Sequence, residues 1–278
     1  MTTSTGFITT HLPPHSGAGR VALVTGGTRG IGKEAARNLV ASGVTVVLAA
    51  RGEDEGRRAA DELSRAGGAG GRALFHSLDL AEPESISRIS AFVQQEFDRL
   101  DILVNNAALG KLPRPAFDVT AADMRQVFEI NVFAVVALTE AVLPLLERSD
   151  AGRVVNVSSE RGSLGEGAVA DGMRTAARVT AEPGSMAYRV AFVTQPNMAY
   201  STSKAALNAV TQHFAYQFEA TGSRVRINSA APGHCATEFN DFTGYRTPQE
   251  GARIISALAL AAESPNGGFF ADEGPITL

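Results

Sequence analysis

The stretch that most limits what this chain can fold into is Val21-Ala-Leu-Val-Thr-Gly-Gly-Thr-Arg-Gly-Ile-Gly32, an apolar run that passes through glycines directly into a helical pattern. Val21 to Val24 reads as a buried parallel strand. Beyond it, Gly26, Gly30 and Gly32 allow backbone dihedrals and close approaches that a Cβ forbids. The helix that follows turns its first amides, and the positive end of its dipole, toward the turn. Such a spot holds an anion and suits the pyrophosphate of a dinucleotide. The spacing Thr25-Gly26-x-x-x-Gly30-x-Gly32, set between strand and helix, distinguishes it from a mere tight connection.

The pattern continues in alternation. Ile31, Ala35, Ala36, Leu39 and Val40 recur at helical spacing until Ser42-Gly43 ends the helix, and Val44 to Ala49 is the second strand. Arg51 stands 19 residues beyond Gly32. An acidic residue there binds the ribose 2′-hydroxyl of NAD; an arginine instead pairs with the 2′-phosphate of NADP, and Arg29 in the loop is a second cation. Asp54 to Arg65 reads as a helix, Ala73 to Leu78 as a strand ending in Asp79-Leu80, Ser85 to Phe97 as an amphipathic helix, and Asp101 to Val104 as a strand leading to Asn105-Asn-Ala-Ala108. Later come a strand from Val225, a helix from Pro248 and a last strand at Gly267 to Ala271. With no internal repeat, this predicts an α/β fold: one doubly wound parallel sheet of the Rossmann type, a single domain over residues 20–278. A chain of 278 residues easily buries such a core.

Composition narrows the partners. A formal net charge of -4 gives no electrostatic footprint for nucleic acid or an anionic membrane surface. The single cysteine, Cys235, cannot form an internal disulfide. Met1 to Gly19 is rich in Thr, Ser, Gly and Pro and lacks the basic start and apolar centre of a signal peptide, so a flexible tail is expected. No apolar run approaches the ~20 residues that span a bilayer, and a soluble cytoplasmic protein is expected.

The chemistry-bearing residues come later. Tyr200-Ser-Thr-Ser-Lys204 places a phenol and an ammonium on one helix face. The chain has four tyrosines and only three lysines, and no other tyrosine has a lysine four residues on. Gly152 to Ser159 is a buried strand ending in two hydroxyls, Ser158 and Ser159, at the carboxyl end where open parallel sheets bind ligands. Asn131 interrupts the helical pattern from Ala122 to Leu146, where asparagine is a poor helix former. One reading of it is a buried side chain with a structural hydrogen bond.

In this order, the motifs make the sequence resemble the short-chain dehydrogenase/reductase family, from about Gly19 to the C-terminus. The resemblance implies that Gly26, Thr28, Arg29, Gly30, Ile31 and Gly32 bind the cofactor and that Asp79 and Leu80 border its adenine. Asn105, Asn106 and Ala107 match the family's Asn-Asn-Ala-Gly segment, from which Ala108 departs. Asn131 corresponds to the proton-relay asparagine and Ser159 to the serine that hydrogen-bonds the substrate oxygen. Tyr200 corresponds to the general acid and base. Lys204 corresponds to the lysine that binds the nicotinamide ribose and, with the oxidised nicotinamide, lowers the phenol's pKa. Pro232 and Gly233 are placed beside the nicotinamide, and Thr237 at its carboxamide. The implied activity is NADP(H)-dependent interconversion of a carbonyl and an alcohol on a small organic substrate. A cofactor sensor without turnover is the alternative, since fold does not fix function; the intact Ser159, Tyr200 and Lys204 set argues against it.

Tyr200 lies 41 positions beyond Ser159, far more than the family usually has there. The added segment, about Arg161 to Asn197, occupies the place of a long insertion in carbonyl-reductase-like members and reads as a lid or a surface excursion. It is expected to block the helix-pairing contact common in the family and leave a monomer. Val135, Val136, Leu138, Phe214 and Phe218 keep a dimer open.

Overall fold

The computed structural model describes residues 17–67, 70–110, 115–163 and 197–277. Val21–Thr25 (β1) is buried along its whole length because it has a strand on each side, pairing in parallel with Thr45–Ala50 (β2) and Ile102–Asn105 (β4). Arg72–Ser77 (β3) extends the sheet beyond β2. On the other side follow Arg153–Val157 (β5), Arg226–Ala230 (β6) and Phe269–Ala271 (β7), all parallel. The order is β3-β2-β1-β4-β5-β6-β7, closed by an antiparallel edge strand Gly274–Pro275 (β8).

Side chains alternate across this sheet, and each face has its own helices. Ala22 and Val24 of β1 join one core with residues of Gly30–Ala41 (α1), Glu53–Ala66 (α2) and Pro248–Leu260 (α7). Val21 and Leu23 join the other, with residues of Pro83–Phe97 (α3), Ala134–Leu146 (α5) and Met198–Ala220 (α6). The doubly wound expectation holds. Strand order reverses between β1 and β4, so their carboxyl ends diverge and leave a crevice.

Three features were not legible in advance. The β8 edge strand is two residues long and shows no period. The helical stretch from Ala122 is continuous as far as Leu146, but Ala121–Phe128 (α4) passes into α5 through a π-helical turn, Glu129–Phe133, centred on Asn131. Within that same helix, Ala121–Leu146, an 18-residue window has a mean hydropathy of 1.8, enough by length and composition to cross a membrane, where no such run was expected. Half of it is nevertheless buried, and Leu138, Val142 and Leu146 lie in the core beneath the sheet. The tail up to residue 16 and the inserted segment from 164 to 196 lie outside the described residues.

Candidate active site

The glycine loop bends where expected. Gly26 and Gly30 take φ of +61° and +55°, the left-handed region that a Cβ disfavours. Arg29 caps α1 with extended backbone, no side chain caps the helix, and its first turn holds no acid. Its leading amides therefore remain available to an anion. The loop is tied across the switch point: Thr25 Oγ1 accepts from the Asn106 and Ala107 N–H groups, both at 3.0 Å, while Asn106 Nδ2 donates to the Thr25 carbonyl at 2.9 Å. Gly32 is packed against that tie, for a Cβ there would stand 2.3 Å from Asn106 Nδ2 and 2.4 Å from the Gly26 carbonyl oxygen. Gly32→Ala is accordingly expected to cost about 1–3 kcal/mol of stability by overpacking and to distort the loop. A denaturant midpoint equal to the parent's would contradict it.

A cleft of about 1160 Å³ opens beyond the carboxyl ends of the strands, from Arg51 at one end to Ser159 and Tyr200 at the other. Gly26, Thr28, Arg29, Gly30, Ile31, Gly32, Leu80, Asn106, Ala107, Lys204, Pro232, Gly233 and Thr237 all border it. Asp79 and Asn131 do not. The Asp79 carboxylate accepts from the Ala81 N–H at 2.9 Å, turning the chain into α3, while Leu80 borders the cleft. Arg29 forms an exposed ion pair with Glu238, whereas Arg51 is exposed without an ion pair among the described residues.

At the other end the sheet, α6 and the segment after β6 converge. Tyr200 and Lys204 lie one turn apart on α6. Lys204 is buried, donates from Nζ to the Val157 carbonyl at 2.7 Å and sits 5.6 Å from the centre of the Tyr200 ring. Phe239 covers that ring at 5.7 Å between centroids. Ser159 caps the short turn Glu160–Gly162, its Oγ accepting the Arg161 backbone N–H at 3.2 Å.

Burial governs the protonation of this end. It pushes the Tyr200 phenol up to about 12, against the opposing pulls of the Arg161 guanidinium and the Ser159 hydroxyl, and it brings Lys204 down to about 7. Desolvation outweighs the Arg161 guanidinium at the phenol, and Lys204, expected to lower the phenol's pKa together with the oxidised nicotinamide, is itself desolvated. His234, buried beside the Pro232-Gly233 turn, is pushed down to about 4 by burial and stays neutral. The Cys235 thiol is raised to about 11 by burial, which makes it inert at neutral pH.

Asn131 is fully buried, and its carboxamide is spent on the protein. It accepts from the Leu109 N–H at 2.7 Å and donates to the Leu109 carbonyl and to Ser203 Oγ, both at 3.0 Å. The side chain thereby clamps the loop after β4 onto α6. The π turn around it is a distortion that recurs at functional sites. Sequence reasoning passed over Arg161 and Phe239 as site residues. Only the position of Arg161 two places after Ser159 pointed to it, and nothing local marked Phe239.

A glycine loop at a switch point and uncapped helix amides describe an α/β fold of the dinucleotide-binding kind, with a serine, a tyrosine and a lysine gathered at the far end of its cleft. The sequence matches the short chain dehydrogenase family model over residues 20–170 and 184–245, and the chain belongs to that family. It is 34% identical over 286 residues to (+)-neomenthol dehydrogenase of Arabidopsis thaliana, covering 90% of this chain and 95% of the relative. To carbonyl reductase [NADPH] 3 of Rattus norvegicus it is 33% identical, over 93% of this chain and 98% of the other. The solved structure of salutaridine reductase from Papaver somniferum superposes with a TM-score of 0.71 at 28% identity, covering 90% of this chain and 99% of that one. The chain is thus an oxidoreductase of a family that binds NAD or NADP and includes enzymes of carbonyls and alcohols.

Proposed function

We propose that this protein is an NADPH-dependent reductase that interconverts a carbonyl and an alcohol on a small organic molecule. The observation that carries the reading is the gathering of Ser159, Tyr200 and Lys204 at one end of a cleft whose other end presents Arg51. The residues present fit the cofactor: a glycine cradle that a Cβ would fill, uncapped α1 amides for the pyrophosphate, and arginine in place of an acid for the 2′-phosphate. NADPH also stands in the name of the rat relative.

When bound, NADPH supplies the hydride. The chain's part is the proton. Tyr200, held protonated by burial, donates from Oη to the carbonyl oxygen as charge builds on it, and in the reverse direction its ionised form accepts the alcohol proton. Ser159 Oγ hydrogen-bonds the same oxygen, a contact that strengthens as the charge develops. Lys204 is anchored on the Val157 carbonyl, leaving its other N–H groups for the ribose hydroxyls and the phenol. Asn131 supports this end by fixing the Leu109 loop, and the relay role rests on its family position and its π turn. A monomeric cytoplasmic protein with one catalytic domain over residues 20–278 completes the proposal.

Following NADPH absorbance against a panel of ketones, aldehydes and quinones tests it. Turnover of at least one class is expected, and oxidation of NADH should be slower. Tight NADPH binding with no turnover across the panel would favour the sensor reading.

A further inference from the structure

The roles above leave the aromatic surface at the reacting end unused. Phe239 and Phe242 are 54% and 65% exposed, and both border the cleft. Phenylalanines kept out of the core in this way gain by being covered with an apolar ligand. Their backbone is held in place. Thr237 opens the short turn Glu238–Asn240 with a reciprocal cap to Asn240, whose Nδ2 also donates to the Cys235 carbonyl at 2.8 Å. The Thr237 carbonyl accepts from the Phe242 N–H at 2.9 Å, and Asp241 and Phe242 take φ of +51° and +58°, a region that bulky side chains rarely enter. Phe239 is also fitted between two walls. Its ring lies 5.7 Å from the Tyr200 ring and is tilted from it by 54°. Its tip meets Gly110, where a Cβ would stand 2.3 Å from Phe239 Cζ, and the three atoms nearest that Cβ all belong to the ring. That second wall is fixed as well, because Asn131 binds both the N–H and the carbonyl of the preceding Leu109. Gly110 does not take a positive φ, so it is the ring, and not the backbone, that requires a glycine here.

We propose that Gly110 and Phe239 together determine the substrate: the side chain missing at Gly110 lets the Phe239 ring lie across the cleft beside Tyr200, where its free face receives an apolar ring carried next to the reacting carbonyl. This rests on Tyr200 being the group that meets that carbonyl oxygen. A substrate bonded to the phenol brings the substituents of its carbonyl carbon within reach of the neighbouring ring. The tilt between the two aromatic rings opens a corner. A third ring set in it is covered on two sides, whereas a short open chain leaves the Phe239 face in water. Leu109, Ile130 and Phe242 continue the apolar lining of the cleft. A Cβ at Gly110 would meet only the far end of a side chain that can turn away, so it would displace the ring and spare the fold. Truncating Phe239, already more than half exposed, removes little of the core.

Reduction of cyclohexyl methyl ketone and of butanone by the full chain with NADPH compares a methyl ketone with and without a ring beside the carbonyl. In Phe239→Ala the ratio of kcat/KM for the cyclic ketone to that for butanone should fall about tenfold, the size of a modest apolar contact. Gly110→Ala should lower the ratio by a similar amount, and should add nothing in the Phe239→Ala background, where the ring it displaces is gone. Calorimetric binding of the cyclic ketone to the complex with oxidised NADP should weaken by the same factor in each variant. An unchanged ratio in Phe239→Ala overturns the proposal, as does an equal loss on both ketones, which makes the ring only a support for Tyr200. Additive losses in the double variant overturn it by making Gly110 independent of Phe239, and so does failure of the parent to bind the cyclic ketone. The complex with oxidised NADP needs no turnover. Binding that depends on Phe239, with reduction of neither ketone, would therefore remove the reductase reading and keep the aromatic wall.

Discussion

Tyr200→Phe is expected to lower turnover by about 10³-fold, the middle of the range for loss of a general acid, while NADPH affinity stays close to the parent's. The split follows from what the phenol does. Its proton is needed only as the substrate oxygen gains charge, so removing it weakens the transition state and spares the ground-state complex. The ring remains, with its contact to Phe239, and Lys204 keeps its anchor on the Val157 carbonyl. The glycine loop and Arg51 lie at the opposite end of the cleft and are untouched. Single-turnover oxidation of NADPH gives the chemical step, and a fluorescence titration gives the affinity. A variant keeping more than a tenth of the parental rate would place the acid elsewhere. One that loses cofactor binding in parallel would make the hydroxyl a structural group.

The parts of this protein legible in its sequence are those set by local rules. A strand buried on both faces must be apolar throughout, and Val21 to Val24 shows it. A loop approached by other backbone needs glycine, which fixes Gly26, Gly30 and Gly32. A tyrosine and a lysine four apart on a helix share a face whatever surrounds them. What escaped reading depends on contacts distant in sequence. Asp79 entered through the family resemblance alone, and its turn contact with the Ala81 N–H is one that the sequence reading did not include. The protonation of Tyr200 follows its desolvation, and no residue spacing encodes how much water a pocket excludes. Arg161 looked like the first residue of an insertion. Only the packing of Gly162 on α6 turns its neighbour into part of the site. The π turn at Asn131 is hidden because the apolar pattern runs on through it from α4 to α5.

The second large effect is expected at the far end of the cleft, where Arg51→Asp should raise the KM for NADPH about 30-fold, about 2 kcal/mol, the size of a lost charge-assisted contact with added repulsion. The two arginines expected to share the 2′-phosphate are not equivalent. Arg29 already has an exposed partner in Glu238, so it gains by exchanging one weak surface pair for another. Arg51 has no such partner among the described residues and borders the cleft directly. It also stands before an acidic helix start, since the first turn of α2 holds Glu53, Asp54 and Glu55. Glu53 is paired with Arg57, and Glu55 borders the cleft. Without Arg51, that group of carboxylates faces the phosphate unopposed, and an aspartate in its place adds to the repulsion. NADH lacks the phosphate, so its kcat/KM should hold or rise as the new carboxylate meets the ribose hydroxyl. The ratio of kcat/KM for the two cofactors is the measurement, with Arg29→Gln as the comparison expected to change it less. Unchanged NADPH kinetics in Arg51→Asp, or a larger loss in Arg29→Gln, would reverse the assignment and make Arg29, released from Glu238, the main phosphate contact.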